Sequence, residues 1–478
     1  MTILSGSLVE YPPRIDGGGE ARDIDLDIAW PFWSGSAEGR GSLTWRGVPT
    51  RLALTHLRPA DLGAGRSSPF TADVTWPGGS LAVDGTVMAA PEGAALPNLT
   101  GRLRFETRSL PETVAWIGRD VPLAPLAGAF SVIGRFETAE RSVSWPSLRI
   151  GLGQNVLEGA GAVAVGPGDA PRLSVQATLA AETLDLAPLV GDVARLFGSD
   201  PVPLALAPLT LGDLDLRLSA AEGRVGAVPV QDLAASVLVR DAAVEVAVNR
   251  ARMQDGMFKG RMTLASGTDP SETEMRLQGS LDHLDLGGLL DEMGVARWVG
   301  GPVHGQFALD ASARDGAGLL AHLGGRAALS VEGGAINGLD LADVIHRNGA
   351  LAPGALARRN ARTAFERAAV TLRFVDGVGE ITDAGLIGPS VGATLHGQVS
   401  LPDRRLDARG NLVLRPASAP SRGLLFAVSG PLGTPDVQIL AHGEAAEAAS
   451  RPGEAMLPES LKQPATLGLP GNARAYAP

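Results

Sequence analysis

Residues able to do chemistry are few and scattered along this chain. Gly388-Pro389-Ser390-Val391-Gly392 has the spacing of a nucleophile elbow, in which a strand turns sharply into a helix and exposes a serine. Here Ala393 to Leu401 follows and alternates like a strand, and His396 lies only six residues on. Ser390 therefore reads as part of a turn between two strands. The histidines are His56, His283, His304, His322, His346, His396 and His442. No two stand at i, i+4 on a helix, and no H-E-x-x-H occurs. Asp282-His283 with Asp285 offers metal-binding or acid–base residue types, but a strand end followed by a capping aspartate accounts for them better. Gly151-Leu152-Gly153-Gln154-Asn155-Val156 lacks the third glycine of a dinucleotide loop and has no parallel β-α-β unit around it. Cys is 0, which removes disulfides, thiolate metal sites and a cysteine nucleophile. The expectation is a protein that is not an enzyme, with no catalytic residue, no metal and no cofactor.

Charge points the same way. Lys+Arg is 41 against 52 Asp+Glu, a formal net charge of -11, and no basic tail offers phosphate contacts, so nucleic acid is not an expected partner. Arg347, Arg358, Arg359, Arg362 and Arg367 do gather within 21 residues. Guanidinium forks suit lipid phosphate, which makes Arg358, Arg359 and Arg362 the candidate head-group contacts. A solvated helix face is the plainer account, since the chain has 39 Arg and 2 Lys.

The elements that must position these residues are mostly strands. Ile24, Leu26 and Ile28 alternate with Asp23, Asp25 and Asp27. The same period recurs around Leu103 and Phe105, around Leu214 and Leu216, and around Leu372 and Phe374. Successive side chains of a strand point to opposite faces, so each segment is half wet and half dry. Turn signals separate them at Pro77-Gly78-Gly79, Asp84-Gly85, Gly166-Pro167-Gly168-Asp169, Glu222-Gly223, Asp255-Gly256, Asp376-Gly377 and Pro402-Asp403. Gly and Asp accept the positive φ of tight hairpins, and hairpins make antiparallel sheet.

Helical pattern is scarce. "TLDLAPLVGDVARLFG" from Thr183, "HLDLGGLLDEMGV" from His283 and "GLDLADVIHRNGA" from Gly338 share one order: strand, capping aspartate, short helix, Gly-rich return. Asp185, Asp285 and Asp340 are the expected N-caps. "LRPADLGAG" from Leu57 is a weaker copy. From about Ala441 the period is lost, and a short helix at most, then a disordered tail, is expected.

Roughly 25 to 30 alternating segments face about five short helices. A sheet with one apolar face has to cover it, and five short helices cannot. A closed barrel, a second sheet or an apolar ligand can. Small aliphatic linings suit a long trough, and they equally suit an ordinary sandwich core.

The stretch from about Gly324 to Leu414 resembles the C-terminal region of the AsmA family. The resemblance is carried by "GGRAALSVEGGAINGLDLADVI" from Gly324, "TAFERAAVTLRFVDGVGEITDAGLIGPSVGATLHGQVSL" from Thr363 and "RLDARGNLVL" from Arg405. The segment from Val228 to Leu264 looks like the same family's strand modules. The resemblance implies a periplasm-facing bacterial envelope protein held to the inner membrane by an N-terminal helix that this chain does not contain. It also implies a long β-groove of the bridge-like lipid-transfer type, linked to phospholipid movement and outer-membrane assembly.

The expected fold is therefore mainly β: a long, twisted, mostly antiparallel sheet curled into an open groove, with a few short helices. Residues 1–300 read as repetitive groove modules, 301–440 as the AsmA-like C-terminal β region, and 441–478 as a tail. Leu103, Phe105, Leu214, Leu216, Leu372 and Phe374 are the expected groove lining. Phospholipid or another acyl-chain lipid is the expected partner, with outer-membrane assembly factors beside it. A β-scaffold that assists outer-membrane protein assembly is the alternative. A hydrolase reading has only Ser390 for support.

Overall fold

A computed structural model describes residues 2–3, 8–9, 20–33, 35–89, 96–118, 128–166, 172–187, 204, 206, 210, 212–267, 269, 271–292, 294, 297–346, 361–415, 424–432 and 435–442. The expected tail after 442 lies outside them. The chain divides into two compact units. The first comprises Met1–Leu189, Ala205–Gly223 and Ala234–Val244, and the second Val190–Leu204, Arg224–Leu233 and Glu245–Pro478. Both are built mainly of antiparallel strands that do not close into a barrel, as the period-two pattern dictates.

In the first unit the strands Ala37–Trp45, Val48–Leu57, Ser68–Trp76, Gly79–Met88, Asn98–Thr107, Phe130–Ala139, Ser142–Leu152, Asn155–Val165 and Leu173–Asp185 pair in chain order. Glu20–Ala29 joins at the front, against Ala37–Trp45. Two short helices, Pro59–Gly63 and Leu110–Trp116, interrupt the run. Among the described residues from 21 to 135 the only buried side chains are Thr50, Ser68, Thr107 and Thr113. No apolar side chain in that span is sealed from water.

The second unit contrasts with this. Its strands Gly256–Ser266, Thr273–Asp285, Pro302–Ala313, Gly324–Glu332, Arg367–Val375, Val378–Ile387, Val391–Ser400, Arg405–Leu414, Leu424–Pro431 and Asp436–His442 also pair in chain order. Here, however, the dry side is covered. Leu319, on the helix Gly316–Ala321, packs with Met275, Ala311, Ala313 and Leu323. Phe365 packs with Leu284, Val303 and Val331. Leu339, Val391, Leu412 and Leu424 form a third core, and Ile381, Ala384 and Ala408 a fourth. A small three-stranded sheet, Val299–Gly300, Ala335–Asn337 and Arg362–Ala364, lies in the same unit.

The capping expectations hold where they can be read. Asp285 accepts from the amides of Gly287 and Gly288, both at 3.1 Å, ahead of the helix Leu286–Glu292. Asp340 accepts from Asp343 N at 3.1 Å ahead of Leu341–His346. Asp185 accepts from Ala187 N at 2.9 Å, and the helix expected beyond it lies outside the described residues. Pro59–Gly63 is helical but has no side-chain cap. Its start is instead set by proline, whose fixed φ suits the first helical positions.

Two expected turns are not turns. Asp84-Gly85 lies inside Gly79–Met88, and Glu222-Gly223 lies inside Asp213–Val225. At Gly85 the reason is close backbone approach: it stands opposite Gly101, and a Cβ there would collide with Thr100 O. Glycine serves a strand wherever another backbone comes this near, so Asp-Gly marked a crowded strand centre instead of a hairpin tip. Pro77-Gly78, Asp255, Asp376-Gly377 and Pro402-Asp403 are turns as expected, and most of Gly166–Asp169 lies outside the described residues.

Candidate functional site

In the first unit the register of successive hairpins brings one apolar side chain from each strand into line. Leu52 pairs with Val74, Val74 with Leu81, Leu81 with Phe105, Phe105 with Val132, Val132 with Ile150, and Ile150 with Leu157. These seven side chains form a lane at right angles to the strands. At about 4.8 Å per strand its six steps span about 29 Å, close to the roughly 30 Å hydrocarbon thickness of a bilayer. All but Leu157 are only half-buried.

A second lane runs beside it, two residues along each strand. Leu54, Ala72, Val83, Leu103, Gly134, Leu148, Gly159 and Leu179 follow one another in register. Large and small residues alternate at its far end. Leu148 reaches over Gly134, where a Cβ would stand 3.4 Å from its methyl group. The lane deepens along the chain, from half-buried Leu54 to Leu148 and Leu179, which are 9% and 7% exposed.

The opposite face is charged. Asp84 stands opposite Arg102, and Arg102 opposite Arg135. Arg149 pairs with Glu158 as a surface ion pair. Such pairs contribute little stability, but they keep this face wet and leave the lanes on the other side.

Aromatic rings border the lanes near one end of the strands. Trp116, at the end of the helix Leu110–Trp116, packs against Trp45 at 5.1 Å and Trp76 at 5.3 Å between ring centroids. Trp76 touches Phe105, which touches Phe130. The Trp116 indole N–H donates to Trp45 O at 2.9 Å, and the Arg46 guanidinium lies 5.8 Å over the Trp45 ring. The helix is held in place by Ser109, whose hydroxyl accepts from Glu112 N, and by the 2.7 Å bond between the buried Thr107 and Thr113 hydroxyls. A tryptophan border thus needs a helix that the hydrophobic period did not reveal.

A second aromatic group is exposed. Trp30, Phe32 and Trp33 occupy the loop between Glu20–Ala29 and Ala37–Trp45 and are 40%, 72% and 73% exposed. The Trp30 and Trp33 rings lie 5.1 Å apart. No residue from Ile28 to Ala37 is charged, in a chain with 4% aromatics. Ala37 pairs with Leu57, so the neighbouring loop at this end is the one holding Arg58 and Arg66.

The expected lining residues divide between the units. Leu103 and Phe105 lie in the two lanes. Leu214 and Leu216 are half-buried on Asp213–Val225. Leu372 is half-buried against the core of Ile381, Ala384 and Ala408. Phe374, 7% exposed, lies over Gly379, so it belongs to a packed interior. Arg362 is exposed on Arg362–Ala364, while Arg358 and Arg359 lie outside the described residues. Arg367 donates to Glu332 at 2.8 Å. Ser390 sits in the turn between Val378–Ile387 and Val391–Ser400, with no helix after it. Missed entirely were the lane partners on neighbouring strands, because register is not visible in a single strand's pattern.

No helix of the described residues is long and apolar enough to cross a membrane. No curated protein and no solved structure matches the chain. The sequence model of the AsmA family matches residues 180–384, which begins well upstream of the Gly324–Leu414 resemblance and leaves the two lanes largely N-terminal to the matched segment. Over residues 180–384 this chain is similar to the AsmA family.

Proposed function

We propose that this protein handles acyl-chain lipid without covalent chemistry, seating hydrocarbon along the two lanes of the first unit. The match to the AsmA family over residues 180–384 fits an envelope-associated role. The finer reading is phospholipid movement from the inner membrane towards the outer membrane, by a periplasm-facing protein. The observation that carries it is the unsealed lane from Leu52 to Ile150, where every side chain is apolar and none is buried. Each methylene kept from water contributes about 0.8 kcal/mol, so a tail lying along the lane recovers much of what it loses on leaving a bilayer. The exposed Trp30, Phe32 and Trp33 support the same reading, since tryptophan concentrates at the membrane–water interface.

Native mass spectrometry of the full chain after mild purification tests this. Bound phospholipid is expected, and it should be lost from a Leu81→Asp, Phe105→Asp variant that remains folded. A lipid-free spectrum from wild-type protein would end the proposal.

A second reading, a scaffold for outer-membrane protein assembly, draws on the strand Asp436–His442. Among the described residues it pairs on one side alone, with Leu424–Pro431, and a free strand edge can recruit a further strand. That reading predicts peptide binding that the lane substitutions leave intact.

A further inference from the structure

On the strand Thr273–Asp285, two consecutive residues oppose one. Leu281 pairs with Gly305 and Leu284 with Val303, so Asp282 and His283 both stand against His304. Such a bulge bends its strand and re-aims side chains. His283 adopts φ +56°, the left-handed region in which histidine, asparagine and aspartate are enriched. As a result two imidazoles and a carboxylate converge. Asp282 Oδ1 lies 2.8 Å from His283 Nδ1 and 3.1 Å from His304 Nδ1. The two rings meet edge-on with centroids 4.1 Å apart. One ligand atom from each of the three residues lies within 4.8 Å of the others.

A four-coordinate ion with ligands at about 2.0–2.1 Å needs its donor atoms about 3.3 Å apart. The cluster is therefore within small side-chain rotations of a chelating geometry, and the ion would replace the hydrogen bonds at Asp282 Oδ1. The donor set selects the metal. Two imidazole nitrogens with one carboxylate suit Zn2+ and its borderline neighbours, whereas Ca2+ and Mg2+ require oxygen ligands. Asp282 and His283 are 68% exposed and His304 26%, so ions reach the site from solvent and water completes the coordination.

We propose that Asp282, His283 and His304 form a binding site for a divalent transition-metal ion of the zinc class. Bound there, the ion joins Thr273–Asp285 to Pro302–Ala313 at the bulge. It fixes the chain three residues before Asp285, the cap of the helix Leu286–Glu292. That helix begins with Leu286, which packs on the core of Leu284, Val303, Val331 and Phe365. The ion is thus a clip that holds one of the second unit's covers in place. Asp285, the acidic neighbour singled out in the sequence, is occupied with the helix amides and is not a ligand. His304 was missed because only the strand pairing brings it within reach.

The test is calorimetric titration of the tag-free, chelator-stripped full chain with zinc chloride. One saturable site per chain is expected, unaffected by excess magnesium, and zinc should raise the thermal midpoint. His304→Ala and Asp282→Asn should each weaken binding at least about tenfold and abolish the thermal shift, while His396→Ala, at an exposed position of Val391–Ser400, should bind like wild type. His283→Asn removes the imidazole yet tolerates the positive φ, and serves if either other variant is unfolded in its metal-free melting curve. Absence of a saturable site in wild type, or equal affinity in folded His304→Ala and His283→Asn, would overturn the assignment.

Discussion

Leu81 faces Phe105 across the strands Gly79–Met88 and Asn98–Thr107, and neither is buried. In a filled sandwich this pair would be interior. Here it forms the middle of a lane that is only half-buried. Charge placed on Leu81 or Phe105 should therefore leave the far-UV circular dichroism unchanged and cost little stability, while displacing bound lipid. Aspartate at Leu412, which is 1% exposed, should unfold the second unit, because an unpaired buried charge is severely costly.

The exposed aromatic loop makes a separate prediction. Phe32→Ser with Trp33→Ser should not lower the thermal midpoint, since the two side chains are 72% and 73% exposed. It should lower co-sedimentation with zwitterionic phospholipid vesicles several-fold. Unchanged sedimentation would remove this loop from the membrane-contact reading.

Leu284 is 0% exposed and sits between Val303, Val331 and Phe365. Truncating it leaves a cavity that the flanking strands cannot close. Leu284→Ala should cost about 2–5 kcal/mol in urea unfolding, against well under 1 kcal/mol for an exposed position such as Leu440→Ala.

Asp285→Ala removes the acceptor for two helix amides and should cost about 1 kcal/mol, with Asp285→Asn largely preserving stability. Faster amide exchange at Gly287 and Gly288 in the alanine variant alone is the diagnostic.

Arg297 donates to Asp291 and holds its carboxyl below the ordinary value of 3.8. A carboxyl depressed on folding stabilises above its unfolded pKa and ceases to do so as the pH falls through the folded value. Wild type and Arg297→Ala should thus differ slightly in thermal midpoint at neutral pH and converge in acid. A gap that persists at the acid end would mean that Arg297 acts through packing instead of charge.

Much of this was legible in the residues. Alternation at Leu103 and Phe105 gave the wet and dry faces, and Asp285 and Asp340 announced their helices, because these signals are local. What failed was relational. Asp84-Gly85 looked like a hairpin tip because the crowding by Gly101 comes from a strand 16 residues away. Phe374 looked the same as Phe105, yet the first lies in a covered interior and the second in an open lane. Period two says which side is dry and nothing about what lies over it. His304 joined Asp282 and His283 only through a bulge, and a bulge shifts register without leaving a sequence period.

Among the described residues, the strands from 37 to 185 each pair only with their neighbours in the chain. An array of that kind can gain or lose a hairpin without disturbing any other pairing. Each duplication would extend the apolar track by about 10 Å, so its length is graduated like a ruler and changes in steps of two strands.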